Sequence, residues 1–156
     1  MWQFVFWSSL AVVLFSYVGY PIVLFIITKL SRRERHSVDD GYRPTVCLLI
    51  SAFNEEKIIR KKIENSLGLD YPRDKLTILV ASDGSDDRTV AIAEDYEDLG
   101  VELVHRKARS GKSAVLNKVV PHLDHDIVVF TDANAMFAED AITKLVRHFK
   151  DPKIGC

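Results

Sequence analysis

A carboxylate and a carboxamide one residue apart, Asp132-Ala133-Asn134, follow the apolar run Val128-Val129-Phe130. A hard divalent cation such as Mg2+ or Mn2+ takes oxygen ligands. It often binds one or two protein carboxylates and completes its shell with water and phosphate oxygens. Asp132 has the chemistry of such a ligand, and Asn134 offers a neutral carbonyl oxygen. The same pattern also suits a side-chain turn that closes a strand, and alone it does not choose between the two.

Three further segments gather polar groups in the same way. Ser51-Ala52-Phe53-Asn54-Glu55-Glu56 has no glycine and so cannot be a dinucleotide-binding turn. Asn54 reads there as a helix cap with Glu55 and Glu56 in the first helical turn, which leaves the aromatic Phe53 at the apex unexplained. In Ser82-Asp83-Gly84-Ser85-Asp86-Asp87-Arg88, Gly84 supplies a turn and Asp86 or Asp87 a cap. Asp83 is then left at the strand end, either to accept a hydrogen bond from a base or ribose or simply as part of an Asp-Gly turn. Ser110-Gly111-Lys112-Ser113 looks like the end of a P-loop, but the position five residues before Gly111 is Arg106, not glycine. Lys112 at a helix start can meet phosphate, and Arg106, Lys107 and Arg109 add positive field. A solvated basic loop is the plainer alternative.

The elements that must carry these segments alternate. Thr45–Ser51, Leu76–Ala81, Val101–His105 and Ile127–Thr131 read as short buried strands. Glu55–Leu67, Thr89–Leu99, Ala114–Leu123 and Asp140–Phe149 read as helices with apolar residues at helical spacing. Four strands each followed by a helix predict an α/β fold, a Rossmann-like parallel sheet with helices on both faces. Such sheets bind ligands at the carboxyl ends of their strands, which is where all four polar segments fall.

The N-terminus is of another kind. No charged residue occurs from Trp2 to Thr28, and as a helix this run spans about 40 Å against roughly 30 Å of bilayer hydrocarbon. Residues 1–30 therefore read as a transmembrane helix, bent or interrupted at Gly19-Tyr20-Pro21. The alternative is a buried helix of a soluble protein. Lys29, Arg32, Arg33 and Arg35 follow the run and no Lys or Arg precedes it, which places the remainder in the cytoplasm. Residues 31–44 read as a juxtamembrane linker and 45–156 as the α/β domain. A formal net charge of −1 gives no reason to expect nucleic acid. Two distant cysteines, Cys47 and Cys156, have no metal-type spacing and do not suggest a disulfide framework.

In order and spacing the four segments resemble the nucleotide-sugar-binding half of a family 2 glycosyltransferase of the processive, membrane-bound cellulose- or hyaluronan-synthase-like branch. "VCLLISAFNEE", "ILVASDGSDDRT", "RSGKSAVLN" and "VVFTDANAMF" carry the resemblance, together with "YVGYP" in the N-terminal helix. It implies the N-terminal half of a GT-A fold and metal-dependent, inverting transfer from a nucleotide sugar, UDP-linked by expectation. The acceptor would be a polysaccharide or a lipid-linked glycan. By resemblance Ala52, Phe53 and Glu55 line the nucleotide pocket, Asp83 bonds the base, and Lys112 and Asn117 lie beneath the donor with Lys112 nearer the diphosphate. Asp132 holds Mg2+ or Mn2+, with Asn134 where the family usually has a second aspartate.

The family's catalytic base and Gln-x-x-Arg-Trp motif lie downstream of the metal motif and are not in this sequence. The expectation is a truncated donor half, inactive alone, with an exposed sheet edge. Two competing readings are a P-loop-like nucleotide-binding module and a catalytically inactive membrane-anchored nucleotide-binding or structural module.

Overall fold

The apolar N-terminal run is helical throughout. In the computed structural model, which describes residues 1–30 and 38–155, α1 (Trp2–Leu14) passes through a π-helical turn (Phe15–Gly19) into α2 (Tyr20–Leu30). The turn has a local cause. Pro21 lacks an amide hydrogen and its ring crowds the carbonyl four residues back. The chain widens ahead of it, and the Tyr20 amide donates to the Phe15 carbonyl five residues earlier. The interruption foreseen at Gly19-Tyr20-Pro21 is thus a change of hydrogen-bond pattern within one helix. The span Trp2–Leu30 is long and apolar enough to cross a membrane, and none of its residues is buried. Arg32, Arg33, Arg35 and the first half of the expected linker lie outside the described residues.

The α/β unit begins earlier than residue 45. The Asp39 amide donates to the Arg147 carbonyl, while the Asp39 and Asp40 carboxylates pair with Lys150 and Arg147 at 2.5 and 3.2 Å. Opposite charge ties residues 39 and 40 to the far end of the chain, so they belong to the folded unit and not to a linker.

Four strands form one parallel sheet in the order β3-β2-β1-β4: β1 (Val46–Ala52), β2 (Leu76–Asp83), β3 (Val101–Arg106) and β4 (Ile127–Asp132). Helices α3 (Ile59–Leu67), α4 (Thr89–Glu94), α5 (Lys112–Val119) and α6 (Ala141–Val146) complete it. Successive side chains of a strand point to opposite faces, and β1 divides accordingly. Leu48, Ile50 and Ala52 join Ile59 and Ile63 of α3, Ile92 and Ala93 of α4, and Ile142 and Val146 of α6. Cys47 and Leu49 meet Val115 and Val119 of α5 on the other face. The expected α/β sheet with helices on both faces is what the chain forms.

Each strand runs one or two residues further than its apolar pattern, so Asp83 and Asp132 are the last residues of β2 and β4. Those additional residues remain in parallel register with their neighbours. The strand order reverses between β1 and β4, which opens the crevice where open α/β sheets bind ligands. β4 is an edge strand and leaves Phe130 half exposed.

Candidate functional site

The rim above the strand ends is built by three loops that hold one another. Asn54 adopts the left-handed conformation (φ 54°), which asparagine tolerates better than most residues. Its side-chain amide donates to Asp86 Oδ1 at 2.7 Å, and its carbonyl accepts from the Asp86 amide at 3.0 Å. Asn54 therefore does not cap α3, as the sequence suggested; it joins the first loop to the second.

The amides that follow Asn54 are bonded across the gap. The amides of Glu55 and Glu56 donate to Thr89 Oγ1 at 2.8 Å and to Asp87 Oδ2 at 3.1 Å. Backbone donors in a loop need partners as much as those of a helix, and here the second loop supplies them. Asp87 also accepts from the Thr89 amide at 2.9 Å, in the manner of the cap foreseen for it.

The second loop grips the third. Asp83, nearly buried, accepts from the Ser110 amide at 2.9 Å, the Ser110 hydroxyl at 3.1 Å and the Gly111 amide at 2.6 Å. Burial works to raise the Asp83 pKa, but the Ser110 and Gly111 hydrogen bonds and the nearby Arg106 charge outweigh it and hold the carboxyl below its ordinary value. Gly84 has φ 73°, and a Cβ there would lie 2.6 Å from the Arg109 amide nitrogen. The turn needs glycine for its backbone angle and for the close approach of the third loop.

These contacts shape a pocket of about 350 Å³ lined by Ala52, Phe53, Glu55, Asp83, Lys112, Asp132 and Asn134. Ser51, Ala81, Arg109, Gly111 and Val115 complete the lining. Seven of the eight residues singled out in the sequence therefore meet. Asn117 does not: it is an exposed residue of α5 and is absent from the lining. Five helical residues separate it from Lys112, a rotation of about 140° away from that side chain at about 100° per residue.

Two contacts give the pocket its chemistry. The Arg109 guanidinium carbon sits 3.9 Å from the centroid of the Phe53 ring, a cation–π arrangement that accounts for an aromatic at the loop's apex. Sequence reasoning counted Arg109 only as part of a basic loop, and no local signal pairs it with Phe53. Opposite, Lys112 Nζ lies 2.5 Å from Asp132 Oδ1, both side chains about half exposed.

The turn after β4 is closed by its backbone, the Ala135 amide donating to the Asp132 carbonyl at 3.2 Å. The Asp132 carboxylate is thereby left to face the pocket and already carries a cationic partner. No cluster of three or more His, Cys, Asp or Glu suited to a metal occurs among the described residues. Asp132 and Asn134 thus fit a hard cation that draws most of its ligands from phosphate and water; they do not fit a closed protein cage.

Comparison with known proteins gives the chain its relatives. The family model for glycosyl transferase family 2 matches residues 47–156. The beta-monoglucosyldiacylglycerol synthase of Synechocystis sp. is 37% identical over 116 residues, covering 72% of this chain and 24% of that protein. The chain spans about a quarter of the length of this synthase and of its counterparts in two further organisms. Among solved structures, the Pyrobaculum calidifontis mannosyltransferase PcManGT, in complex with GDP-Man and Mn2+, is 34% identical. It aligns with a TM-score of 0.81 over 94% of this chain and 45% of its own. S. aureus TarS 1-349 in complex with UDP-GlcNAc has a TM-score of 0.59 at 20% identity over 65% of this chain and 30% of its own, a likeness of fold alone.

Proposed function

Since this chain belongs to glycosyl transferase family 2, we propose that the pocket binds a nucleoside diphosphate sugar with Mg2+ or Mn2+ and presents it for inverting transfer to a lipid or glycan acceptor at a membrane. The observation that carries this reading is the convergence of four strand-end segments on one pocket whose charged floor is Lys112 and Asp132.

Each residue has a distinct task. Ala52 brings no bulk beyond its Cβ to the end of β1, so a nucleotide can lie close to the strand. Phe53 and Arg109 form one wall, planar and cationic, suited to a base or a phosphate. Asp83 keeps the third loop in place, and its Oδ2, which accepts one hydrogen bond, retains a lone pair for a base or ribose donor. Glu55 lines the same wall with its amide fixed by Thr89. Lys112 offers a mobile positive charge to the diphosphate. Asp132, with Asn134 beside it, would hold the cation, which when bound neutralises charge on the departing nucleoside diphosphate. Acceptor deprotonation is assigned to no residue of this pocket.

The relatives refine the expectation. A diacylglycerol-linked glycolipid is the product named for the Synechocystis relative, and Trp2–Leu30 has the length and apolarity to keep an enzyme beside such an acceptor. A lipid acceptor thus has firmer support than the cellulose- or hyaluronan-like polymer suggested by motif resemblance. UDP is the base implied by that resemblance, and GDP is its competitor because PcManGT carries GDP-Man.

Calorimetry on the full chain in detergent, with UDP and GDP each in the presence and absence of Mn2+, tests the reading. We expect nucleotide binding that strengthens with Mn2+ and loses that gain in Asp132→Ala. Absence of nucleotide binding by the folded wild type overturns it. ATP binding that depends on Lys112 and ignores Asp132 would point to a P-loop-like module. Binding of UDP or GDP that ignores Mn2+ would point to a nucleotide-binding module without metal chemistry.

A further inference from the structure

Lys62, in the middle of α3, is fully buried. Its ammonium donates to the Ala135 carbonyl and lies 4.0 Å from the centroid of the Phe137 ring. Burying a lysine is costly unless its charge is satisfied, and the partners here are a carbonyl and a ring face. Desolvation accordingly lowers its pKa to about 8. One turn further along α3, Asn65 donates to the Phe137 carbonyl at 2.9 Å and accepts from the Phe137 amide at 2.8 Å.

All of these contacts fall on the three residues that follow Asn134. Ala135 also closes the turn back to the Asp132 carbonyl, so its peptide is held from both sides. Asp132 and Asn134 themselves are exposed, and Ala133 between them is packed into the core.

Building on the metal-site reading of Asp132 and Asn134, we propose that Lys62 and Asn65 are positioning residues. They clamp Ala135–Phe137 from beneath and so set the orientation in which Asp132 and Asn134 meet the metal–diphosphate, without touching the ligand. Losing a partner that orients a metal ligand typically costs about 10- to 100-fold in metal affinity.

The test is titration of the full chain in detergent with UDP and GDP, with and without Mn2+, alongside thermal melts. Lys62→Met keeps an unbranched apolar stem one atom shorter and removes the donor. It is expected to weaken Mn2+-supported nucleotide binding about tenfold while leaving Mn2+-free binding unchanged, the melts serving to show that the variant is folded. Lys62→Gln, which keeps an N–H donor one atom short of the ammonium, should recover part of the loss. Asn65→Ala should show the same selective weakening, and it decides the matter if neither lysine variant folds. Variants that bind Mn2+–nucleotide like wild type, or that lose Mn2+-free binding equally, overturn the proposal. Failure of the metal-site reading looks different: wild type itself then shows no response to Mn2+, and the proposal falls with it.

Discussion

Lys112 and Asp132 face each other at 2.5 Å across the switch point of the sheet, an ammonium resting on the carboxylate best suited to a divalent cation. The pair joins the first residue of α5 to the last residue of β4. An exposed ion pair of this kind adds about 0–1 kcal/mol to stability, so its significance lies in what competes for each partner.

Lys112→Met should therefore leave stability within about 0.5 kcal/mol of wild type. It should tighten binding of Mn2+ alone, since Asp132 no longer shares its charge with an ammonium. Nucleotide binding in Mn2+ should weaken instead, because the diphosphate loses a cation. Calorimetry with each ligand checks both directions, and a parallel change in the two would refute the competition.

Asn54→Ala should destabilise the α/β unit by about 1–3 kcal/mol, combining left-handed strain with the loss of two hydrogen bonds to Asp86. Asn54→Gly removes the bonds but relieves the strain and should cost less. Urea denaturation of the two variants separates the contributions.

Gly84→Ala places a methyl group 2.6 Å from the Arg109 amide nitrogen at φ 73°. The atoms it meets belong to the backbone of Ala108 and Arg109 and cannot step aside cheaply. A loss of about 1–3 kcal/mol is expected from the backbone conformation alone, with weakened nucleotide binding as the third loop is displaced. Wild-type affinity in the variant would show that the loop contact is dispensable.

Asp83 contributes stability that depends on acid. Its folded pKa lies below the ordinary 3.8 because hydrogen bonds from Ser110 and Gly111 outweigh burial. Its contribution is therefore complete above about pH 4 and fades as the pH falls through the folded value. Asp83→Asn should be less stable at neutral pH and show a shallower loss on acidification. Denaturant midpoints measured from pH 6 down to about 3 test this.

Lys62 acts at the alkaline end with the opposite sign. Its folded pKa of about 8 lies below the ordinary 10.5, so the unfolded chain binds more protons between the two. Stability should rise with pH across that window, and Lys62→Met should lack this share of the rise. Equal slopes in the two proteins would mean that the ammonium is better solvated than its burial indicates.

The sheet and the place of the site were legible because they rest on local patterns. β-branched and leucine-rich runs marked the strands, helical spacing marked the helices, and the polar residues after each strand fell at the carboxyl edge of a parallel sheet. Ala52, Phe53, Glu55, Asp83, Lys112, Asp132 and Asn134 followed from that rule and from resemblance to the family. The partners were not legible. Asn54 has the composition of a helix cap, and only the distance from β1 to β2 in space turns it toward Asp86. Arg109 and Phe53 lie far apart in the chain, and Lys62 has the look of a solvated helical lysine until Ala135 and Phe137 fold beneath it. Asn117 is a different case, since helical rotation alone separates it from Lys112.

The interlocked rim has a kinetic consequence. Its closing contacts join residues 27 to 34 positions apart: Asn54 to Asp86, Glu55 to Thr89, Asp83 to Ser110 and Gly111. Each contact bridges the ends of strands that are already paired in register, so the rim depends on the sheet and can open locally while the sheet stays paired. A ligand that binds only the closed rim slows hydrogen exchange in all three loops together, even where it touches one. Protection spreading from Ser85 to Ser110 on addition of nucleotide would be the signature of a mouth that shuts as a single unit.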